Sequence, residues 1–308
     1  MRAVVADEYG GSEVLQVREV DDPKVGRDYA LVRVHAASIN PVDYKIIGGS
    51  ADAEYPTVWP LIPGWDVAGE VLAVGPAVRH VEVGQRVFGY ARKDLIGTGS
   101  WAEQVALPAR AVAPAPGSLD AVSASCVPLA GQTAWQALVE DLGIAAGDTL
   151  LIHAATGGVG HLATQVAVAR GARVIGTCSE PSHDFLRELG GEPVAYGEGL
   201  ADRVRELAPL GVDAVADFAA GGALDSSDEV LATPGRVVSI VNSQSAKERG
   251  GTYVFVRPEV AHLTALAELA DAGGLVPRVQ SVHDVDAVRD AVDEARSGVR
   301  GKVVLRLA

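Results

Sequence analysis

The chain has 308 residues, enough for two domains and for a large buried core. Apolar residues make up 48% of the chain and charged residues 21%, a globular composition that excludes a disordered, collagenous or coiled-coil protein. The formal net charge of −14 repels phosphate backbones, so we do not expect a nucleic acid as a partner.

Cysteine content and the N-terminal sequence restrict the metal sites and the location that we expect. The two cysteines, Cys126 and Cys178, are too few for a zinc site with four thiolates, and we expect buried, inert thiols and no bound metal. The first residues, MRAVVADEYGG, lack the basic start and the apolar core of a signal peptide, and the chain has no apolar run of 18 residues. We therefore expect a cytoplasmic protein without a membrane partner.

Residues 1–122 are predicted to form a β-rich domain. Short runs of apolar or alternating residues end at glycine, proline or aspartate, which is typical of strands. These runs cover residues 14–20, 30–36, 67–75, 84–90 and 101–108. Their close spacing predicts an antiparallel, barrel-like domain.

Near residue 120 the pattern changes, and strands begin to alternate with helices. A helix is predicted over 120–143, and the continuous apolar run 148–153 predicts a strand that is buried on both faces. The alternation continues to residue 257 and indicates βαβ units with a parallel sheet. Residues 243–251 are polar and are predicted to be a loop, and residues 252–256 are predicted to be an edge strand.

From residue 258 the pattern changes again. Leu263, Leu266 and Leu269 have helical spacing and predict a helix, and residues 284–297 predict a second one. The sequence GKVVLRL, residues 301–307, predicts a further strand.

A glycine-rich turn follows the strand 148–153 and opens a helix. Residues 158–163 match G-x-G-x-x-A, which in this strand–turn–helix context is the fingerprint of a dinucleotide-binding site. Small residues let a pyrophosphate approach the backbone, and the helix N-terminus offers N–H groups and the positive end of its dipole. An ordinary glycine-rich turn is the alternative. The candidate cofactor-binding residues of this turn are Thr156, Gly157, Gly158, Val159 and Gly160.

The end of the next strand indicates which dinucleotide to expect. Enzymes that use NAD usually have an acidic residue there, bonded to the ribose 2′-hydroxyl. Here the strand ends in Thr177-Cys178-Ser179, and Glu180 follows one residue later. Because no carboxylate stands at 177–179 and Ser179 offers a hydroxyl to a 2′-phosphate, NADPH is favoured over NADH as the cofactor.

Six further segments extend the interpretation to nearly the whole chain. They are SINPVDYKIIGG (38–49), PGWDVAGEVLAVG (63–75), VGQRVFGY (83–90), GSWAEQV (99–105), PLAGQTAWQAL (128–138) and GKVVL (301–305). With these segments in this order around the turn AATGGVG, the chain resembles the zinc-independent quinone oxidoreductases of the medium-chain dehydrogenase/reductase superfamily.

The resemblance implies an α/β fold with two domains. A GroES-like β-rich catalytic domain would comprise residues 1–122 and 258–308, and a Rossmann domain with a doubly wound parallel sheet would comprise residues 123–257. In relatives, NADPH binds in the cleft between the two domains. Family members also often pair the segment matching residues 252–256 across a two-fold axis, which implies a homodimer.

Zinc enzymes of this superfamily have cysteine at the position matching Asn40 and Gly-His-Glu at the positions matching Gly64, Trp65 and Asp66. Asn40 and Trp65 provide neither a thiolate nor an imidazole, so the resemblance implies that the zinc sites are lost. Zinc lowers the pKa of bound water from ~15.7 to about 7, and an alcohol oxidised without it lacks about 12 kcal/mol of help in losing its proton. A quinone or an α,β-unsaturated carbonyl needs no such help, which favours either as the small-molecule substrate.

Four residues are candidates for catalysis. Asn40 matches a family position near nicotinamide and substrate, and its amide can donate to a developing oxyanion. Tyr44, Lys45 and Tyr55 can donate a proton from a phenol or an ammonium group. The alternatives are a turn residue before proline for Asn40, packing for the two tyrosines, and an ion pair that holds the loop for Lys45.

Further cofactor-binding candidates come from the resemblance. Thr133, Tyr196, Asn242 and Phe255 match positions that border the cofactor in relatives, and they join Ser179 and the turn residues. A helix cap is the alternative for Thr133. His153, at the end of a buried strand, is interpreted as a core histidine with satisfied hydrogen bonds.

Three functions remain open at this point. The favoured one is an NADPH-dependent oxidoreductase that transfers hydride to a quinone or an α,β-unsaturated carbonyl without zinc. The alternatives are a dedicated biosynthetic enoyl reductase and an NADPH-binding protein with little turnover. All three require that the glycine-rich turn binds the nucleotide.

Overall fold

The front of the chain and its tail fold together, and the segment between them forms a second unit. The computed structural model describes residues 1–219, 221–232 and 236–307. Unit 1 comprises Met1–Leu129, Pro258–Gly273 and Pro277–Ala308, and unit 2 comprises Ala130–Arg257 and Gly274–Val276.

Unit 1 is built mainly on antiparallel strands whose side chains alternate between core and surface. The strand β3 (Tyr29–Ser38) shows the pattern, because Ala30, Val32 and Val34 are fully buried and the residues between them are not. In chain-order numbering, the other strands of unit 1 are β1 (Arg2–Val5), β2 (Gln16–Glu19), β4 (Thr57–Ile62), β5 (Asp66–Val74), β6 (Arg86–Tyr90), β7 (Ile96–Thr98), β8 (Gln104–Pro108), β9 (Val112–Pro114), β16 (Val279–Asp284) and β17 (Lys302–Arg306).

The main sheet of unit 1 joins the tail of the chain to its front. Among the described residues its order is β16-β17-β3-β5-β6-β9, and β8 also pairs with β3. β17 runs antiparallel to β3, so that Val304 lies opposite Ser38, and the N–H of Ile39 donates to the carbonyl of Val303 at 2.8 Å. The first residue of β17, Lys302, is therefore placed beside the point where the chain leaves β3.

The first helix of unit 1 follows strand β3 directly. Asn40 is the extended residue before α1, Pro41 occupies the first helical position, and Asp43 Oδ2 accepts the N–H of Asn40 at 2.7 Å. The helices that lie in unit 1 are α1 (Pro41–Ile47), α2 (Ala121–Ser125), α9 (Val260–Asp271) and α10 (Val288–Arg296).

Unit 2 contains a parallel sheet with helices between its strands. The strands are β10 (Thr149–His153), β11 (Arg173–Cys178), β12 (Glu192–Ala195), β13 (Ala214–Asp217), β14 (Val237–Ser239) and β15 (Thr252–Tyr253). The helices are α4 (Gly160–Ala169), α5 (His183–Glu188), α6 (Leu200–Leu207), α7 (Ser227–Val230) and α8 (Ser243–Glu248), and α3 (Pro128–Trp135) leads into the unit.

The strand order of unit 2 shows where a ligand is expected. Within the described residues the order is β12-β11-β10-β13-β14-β15, and all these neighbours are parallel. Counted from β10, this is the doubly wound order 3-2-1-4-5-6, which reverses direction between β10 and β13. Ligands of such sheets bind outside the carboxyl ends of the strands at this reversal.

Three predicted elements differ from the structure. The helix over 120–143 is divided into α2, α3 and a π-helical stretch, Gln136–Asp141. The loop over 243–251 contains α8, because the Oδ1 of Asn242 accepts the N–H of Ser245 at 2.9 Å and caps the helix. The edge strand predicted over 252–256 is shorter in the structure, where β15 comprises only Thr252–Tyr253.

The sequence predicts no membrane-spanning helix. In the part of the chain that the structure describes, no helix has both the length and the apolar composition needed to span a bilayer.

Candidate active site

The glycine-rich turn of unit 2 fits a dinucleotide pyrophosphate. β10 ends at His153 and α4 begins at Gly160. A β-carbon on Gly160 would lie 2.0 Å from the carbonyl oxygen of Ala154, so only glycine is compatible with this path of the backbone. Ala154 has φ of 56°, a left-handed conformation that costs energy for alanine and tightens the turn. The turn is therefore tight, and it leads into the N-terminus of α4, the kind of backbone at which phosphates bind.

Hydroxyl groups and an imidazole follow the carboxyl end of β11. Ser179 Oγ lies 3.1 Å from Ser182 Oγ. The buried Nε2 atom of His183 has no hydrogen-bond partner among the described residues, and Glu180 is exposed. Such groups can donate to an anion. Tyr196, predicted to lie near the adenosine ribose, is exposed beyond β12.

His153 lies at the switch point of the sheet. Burial lowers the pKa of its imidazole to about 4, so the ring is neutral near pH 7. Its Nδ1 lies 3.5 Å from Thr177 Oγ1, and its Nε2 has no partner among the described residues. The prediction of a core histidine was right about burial and wrong about satisfied hydrogen bonds.

Side-chain hydrogen bonds fix the loop after β14. Ser239 Oγ donates to Asp217 Oδ2 at 2.8 Å and accepts the N–H groups of Val241 and Asn242 at 3.1 and 2.9 Å. Burial raises the pKa of Asp217. Asn242, a predicted cofactor contact, is thus held at the carboxyl edge of the sheet. Two other candidates differ in exposure, since Thr133 in α3 is buried and Phe255 is exposed.

Unit 1 buries a polar cluster where β3, β5 and β17 meet. Asp66 is fully buried, and its Oδ2 accepts hydrogen bonds from Ser38 Oγ at 2.6 Å and Asn40 Nδ2 at 2.8 Å. The ammonium of Lys302, 3% exposed, lies 3.3 Å from the same oxygen and also donates to Asn40 Oδ1. The other oxygen of Asp66 accepts the N–H of Leu129 at 2.7 Å. We call Ser38, Asn40, Asp66 and Lys302 the polar cluster.

Both ends of the Asn40 amide are bonded inside the polar cluster. Its Nδ2 donates to Asp66 and, at 3.4 Å, to the carbonyl of Ser38, and its Oδ1 accepts from Lys302. These bonds favour a positioning role for Asn40 over the predicted role as a donor to substrate.

Asp43, in helix α1, is fully buried and is bonded to Asn40 of the polar cluster. Its Oδ2 accepts the N–H of Asn40, and its Oδ1 has no partner among the described residues. Burial raises the pKa of the Asp43 carboxyl to about 7. The carboxyl is therefore partly protonated near neutral pH.

The raised pKa of Asp43 predicts a pH-dependent stability. An unfolded aspartate has a pKa of about 4, so the folded protein binds the extra proton between about pH 4 and pH 7. The free energy of unfolding should fall as pH rises through this range, by on the order of 2–4 kcal/mol. In Asp43→Asn the fall should be absent. Urea unfolding from pH 4.5 to 8.5 measures the difference, and an equal fall in both proteins would show that another group titrates.

Three aromatic rings pack against each other next to the polar cluster. The Tyr55 and Trp65 rings are 5.0 Å apart in an edge-to-face arrangement, and the Trp65 and Tyr90 rings are 5.7 Å apart. Tyr90 lies opposite Asp66 across β5 and β6, and burial raises the pKa of its phenol well above 10. Because Trp65 directly precedes Asp66 in the chain, the aromatic rings and the polar cluster form one continuous region of unit 1.

The other two predicted catalytic residues lie elsewhere in unit 1. The ring of Tyr44 has the guanidinium of Arg296 on α10 5.8 Å from its centre. Lys45 is exposed and forms no ion pair with a carboxylate among the described residues. Asn40 thus lies in the polar cluster and Tyr55 lies among the aromatic rings beside it. Tyr44 and Lys45 lie outside both groups.

Comparisons with known proteins identify the family. Residues 26–117 match the alcohol dehydrogenase GroES-like domain, and residues 158–273 match the zinc-binding dehydrogenase domain. A chloroplastic quinone-oxidoreductase of Triphysaria versicolor is 30% identical over 99% of this chain and 98% of its own. The chain belongs to the quinone oxidoreductase family. It is therefore an oxidoreductase of the medium-chain dehydrogenase/reductase superfamily, whose members depend on pyridine nucleotides.

A solved structure and a polyketide synthase are also similar to this quinone oxidoreductase family member. The structure of the quinone oxidoreductase from Coxiella burnetii superposes with a TM-score of 0.85 at 30% identity, covering 100% of this chain and 99% of that one. A mycocerosic acid synthase-like polyketide synthase of Mycobacterium tuberculosis is 35% identical over 238 residues, which is 75% of this chain and 11% of that protein. The predicted family and its GroES-like and Rossmann domains are confirmed.

The polar cluster of this family member does not fit a zinc ion. The matching positions hold Asn40, Trp65 and Asp66, of which only the carboxylate is a common zinc ligand. The cation beside that carboxylate is Lys302. Within the described ranges, no three His, Cys, Asp or Glu side chains are grouped as a metal site. Burial raises the pKa of Cys126 to about 12 and that of Cys178 to about 11, which confirms the prediction of buried thiols.

Lys302 is the member of the polar cluster that sequence reasoning missed. It lies in GKVVL, a segment that was assigned to the family without a role for the lysine. Lysine is almost never fully buried unless it is paired, so a lysine at the start of an apolar strand is usually placed at the surface. The signal in the sequence was Asp66. A charged residue at the start of a buried strand requires a partner of opposite charge, and Lys302 is that partner.

Proposed function

We propose that the protein is an NADPH-dependent reductase that transfers hydride to a quinone or an α,β-unsaturated carbonyl without a metal. The observation that carries the proposal is the Lys302 ammonium between Asn40 and Asp66. The ammonium of Lys302 balances the charge of the Asp66 carboxylate. The side chains of Asn40 and Trp65 are unsuited to bind a metal ion that would act as a Lewis acid. A substrate that is already electron-poor is favoured under these conditions.

Residues of unit 2 hold the cofactor in this proposal. The turn Thr156–Gly160 and the N-terminal end of α4 bind the pyrophosphate, and Ser179 with its neighbours binds the 2′-phosphate. His153 is neutral near pH 7, and its Nε2, which has no hydrogen-bond partner among the described residues, lies at the carboxyl edge of the sheet. When bound, NADPH supplies the hydride.

Residues of unit 1 orient the acceptor and supply hydrogen bonds. Tyr55 is half-buried against the buried ring of Trp65, and its phenol can donate to an oxygen of the acceptor. Asn40 and Lys302 hold the polypeptide on either side of Asp66 and act as positioning residues. A single well-placed donor to a developing oxyanion contributes roughly 3–4 kcal/mol to catalysis.

The test is NADPH oxidation followed at 340 nm with 1,4-naphthoquinone, with an enone and with ethanol plus NADP⁺ in the reverse direction. We expect turnover with the quinone or the enone and none with ethanol. Alcohol oxidation at a comparable rate would contradict the proposal, because the chain would then activate an alcohol without the groups assigned here.

Cofactor preference gives a separate prediction. Ser179→Asp places a carboxylate beside the expected 2′-phosphate, and like-charge repulsion should weaken NADPH binding by at least about tenfold with little effect on NADH. Isothermal titration calorimetry measures both affinities. Ser297→Asp, which adds the same charge at an exposed residue of unit 1, is the control. Equal losses for both nucleotides would show that Ser179 is not near the 2′-position.

A dedicated enoyl reductase is the second candidate. The match to a polyketide synthase over three-quarters of this chain favours it. An α,β-unsaturated acyl thioester that is reduced at least tenfold faster than naphthoquinone would establish this function. NADPH binding without turnover of any acceptor would instead identify a binding protein.

The homodimer also remains a proposal. β15 is the last strand of the sheet in the described part of unit 2, and edge strands are sites at which a second copy can pair. Light scattering on a gel-filtration column gives the mass in solution, and a monomer at 100 μM would contradict the proposal.

A further inference from the structure

Gln136 is a buried polar residue of unit 2 that the proposed function does not use. It is 1% exposed, and it begins the π-helical stretch Gln136–Asp141, a type of helix often found at functional sites. Its Nε2 donates to the carbonyl oxygen of Arg257 at 2.7 Å, and its Oε1 accepts the backbone N–H of Arg257 at 3.1 Å. These two hydrogen bonds join residues 121 positions apart, and we call them the Gln136 clamp.

The segment that the clamp holds follows the last strand of the sheet. β15 ends at Tyr253, and the N–H of Val254 donates to the carbonyl of Ser239 on β14 at 2.9 Å. After that bond, residues 254–257 form neither a helix nor a strand. The path of such a segment depends on side-chain bonds to its backbone, and the clamp provides a partner for both backbone groups of Arg257.

An ion pair adds a weaker link to the same segment. The guanidinium of Arg257 donates to Glu140 Oε2 at 2.7 Å and to Gln136 Oε1 at 3.2 Å. The side chains of Arg257 and Glu140 are 52% and 33% exposed, and ion pairs that water reaches contribute little. The buried amide of Gln136 is therefore the main constraint on the segment.

The place of the segment in the sheet indicates which part of a dinucleotide it borders. A sheet of order 3-2-1-4-5-6 consists of two mononucleotide-binding halves, and a dinucleotide lies across the carboxyl ends of both. The glycine-rich turn after β10 and the ends of β11 and β12 form the half that takes the adenosine. The half formed by β13, β14 and β15 is left for the nicotinamide end, and residues 254–257 continue from the carboxyl end of β15.

We propose that Gln136 is a positioning residue for the nicotinamide half of the bound dinucleotide and acts through the backbone of Arg257. The inference requires only a pyridine nucleotide in unit 2, so it is independent of the acceptor and of the 2′-phosphate. Without the clamp, residues 254–257 leave their position, and binding has to order them again. That cost affects the nicotinamide half and leaves the adenosine half unchanged.

The test compares whole nucleotides with fragments that fill only the adenosine half. Gln136→Met keeps the length of the side chain and removes both bonds of the clamp. Calorimetry on the full-length protein gives the affinities for NADP⁺ and adenosine 2′,5′-bisphosphate, and for NAD⁺ and ADP. For the nucleotide that the wild type prefers, we expect a loss of at least about fivefold, and for its fragment a change below about twofold.

Gln165→Met is the matched control, because Gln165 makes the same pair of bonds elsewhere in unit 2. It is 8% exposed in α4, its Nε2 donates to the carbonyl of Val276 at 3.1 Å, and its Oε1 accepts the N–H of Val276 at 2.7 Å. Val276 belongs to no strand of the sheet. Any effect of Gln165→Met through the stability of unit 2 should change nucleotide and fragment equally and leave the ratio of their affinities as in the wild type.

Fluorescence of bound NADPH gives a second measurement, from the nicotinamide itself. The reduced ring is fluorescent, and its emission depends on how firmly it is held. At saturation, NADPH should emit less from Gln136→Met than from the wild type. Gln136→Glu removes only the donor of the clamp and keeps the size of the side chain, so it shows the same changes on a smaller scale and replaces Gln136→Met if that variant does not fold.

Equal losses for nucleotide and fragment, or no loss for either, would overturn the inference. The same holds if the wild type binds neither nucleotide. Turnover of naphthoquinone by the wild type tests the reductase separately, because a protein that binds the nucleotide without turnover still reports on the clamp.

Discussion

Replacing Lys302 with methionine is expected to lower the free energy of unfolding by about 3–5 kcal/mol, because it leaves the buried carboxylate of Asp66 without its cation. Asn40 Oδ1 also loses the donor that it has in the wild type. Methionine fills much of the space of the lysine stem, so the loss reports charge and hydrogen bonding more than packing. Urea unfolding followed by far-ultraviolet circular dichroism measures the change.

A double variant tests whether the loss of stability comes from the broken charge pair or from any change at this buried site. In Asp66→Asn with Lys302→Met, the buried charges are removed together, and the Asn40 amide can rotate to present its oxygen to the new amide. The double variant should therefore be more stable than the sum of the single losses predicts, by at least about 1 kcal/mol. Additive losses would show that Lys302 and Asp66 do not interact in the folded protein.

Gly160→Ala is expected to destabilise unit 2 by at least ~2 kcal/mol and to weaken NADPH binding by more than tenfold. The new β-carbon would lie 2.0 Å from the carbonyl oxygen of Ala154, a backbone atom that cannot move without opening the turn. Opening the turn displaces the N–H groups that the pyrophosphate needs. Differential scanning fluorimetry gives the change in melting temperature, and calorimetry gives the affinity.

Gly157→Ala is the matched control in the same turn. Its β-carbon would lie 3.3 Å from the same carbonyl oxygen, which a small local shift accommodates. We expect a loss of stability below about 1 kcal/mol for this variant. Similar losses for the two variants would show that the close approach of Gly160 to Ala154 is not what requires glycine.

The glycine-rich turn was predictable from the sequence because its signals are local. A strand, a turn of small residues and the start of a helix are contiguous from residue 149 to residue 169, and each has a residue pattern of its own. The parallel sheet follows from the alternation of strands and helices with short connections. The capping residue Asn242 was equally local, yet α8 was predicted to be a loop because its residues are polar.

The polar cluster was not predictable in the same way. Its members, Ser38, Asn40, Asp66 and Lys302, come from three strands and the start of one helix, and the longest hydrogen bond in sequence terms links residues 262 positions apart. No periodicity connects them, and each residue has a common alternative role as a turn, surface or capping residue. The resemblance supplied the position of Asn40 but not the partners that bind both ends of its amide.

The sequence by itself determined the family, the β-rich and parallel-sheet domains and the glycine turn, since these depend on hydrophobic periodicity and on residues that are neighbours in the chain. Only the tertiary structure decided that Lys302 neutralises Asp66 and that Lys45 faces solvent. It also decided that the ammonium of Lys93 donates to the carbonyl oxygen and to Oγ1 of Thr98. The energy of a charge depends on its burial and its partners, and both are set by how distant strands pair.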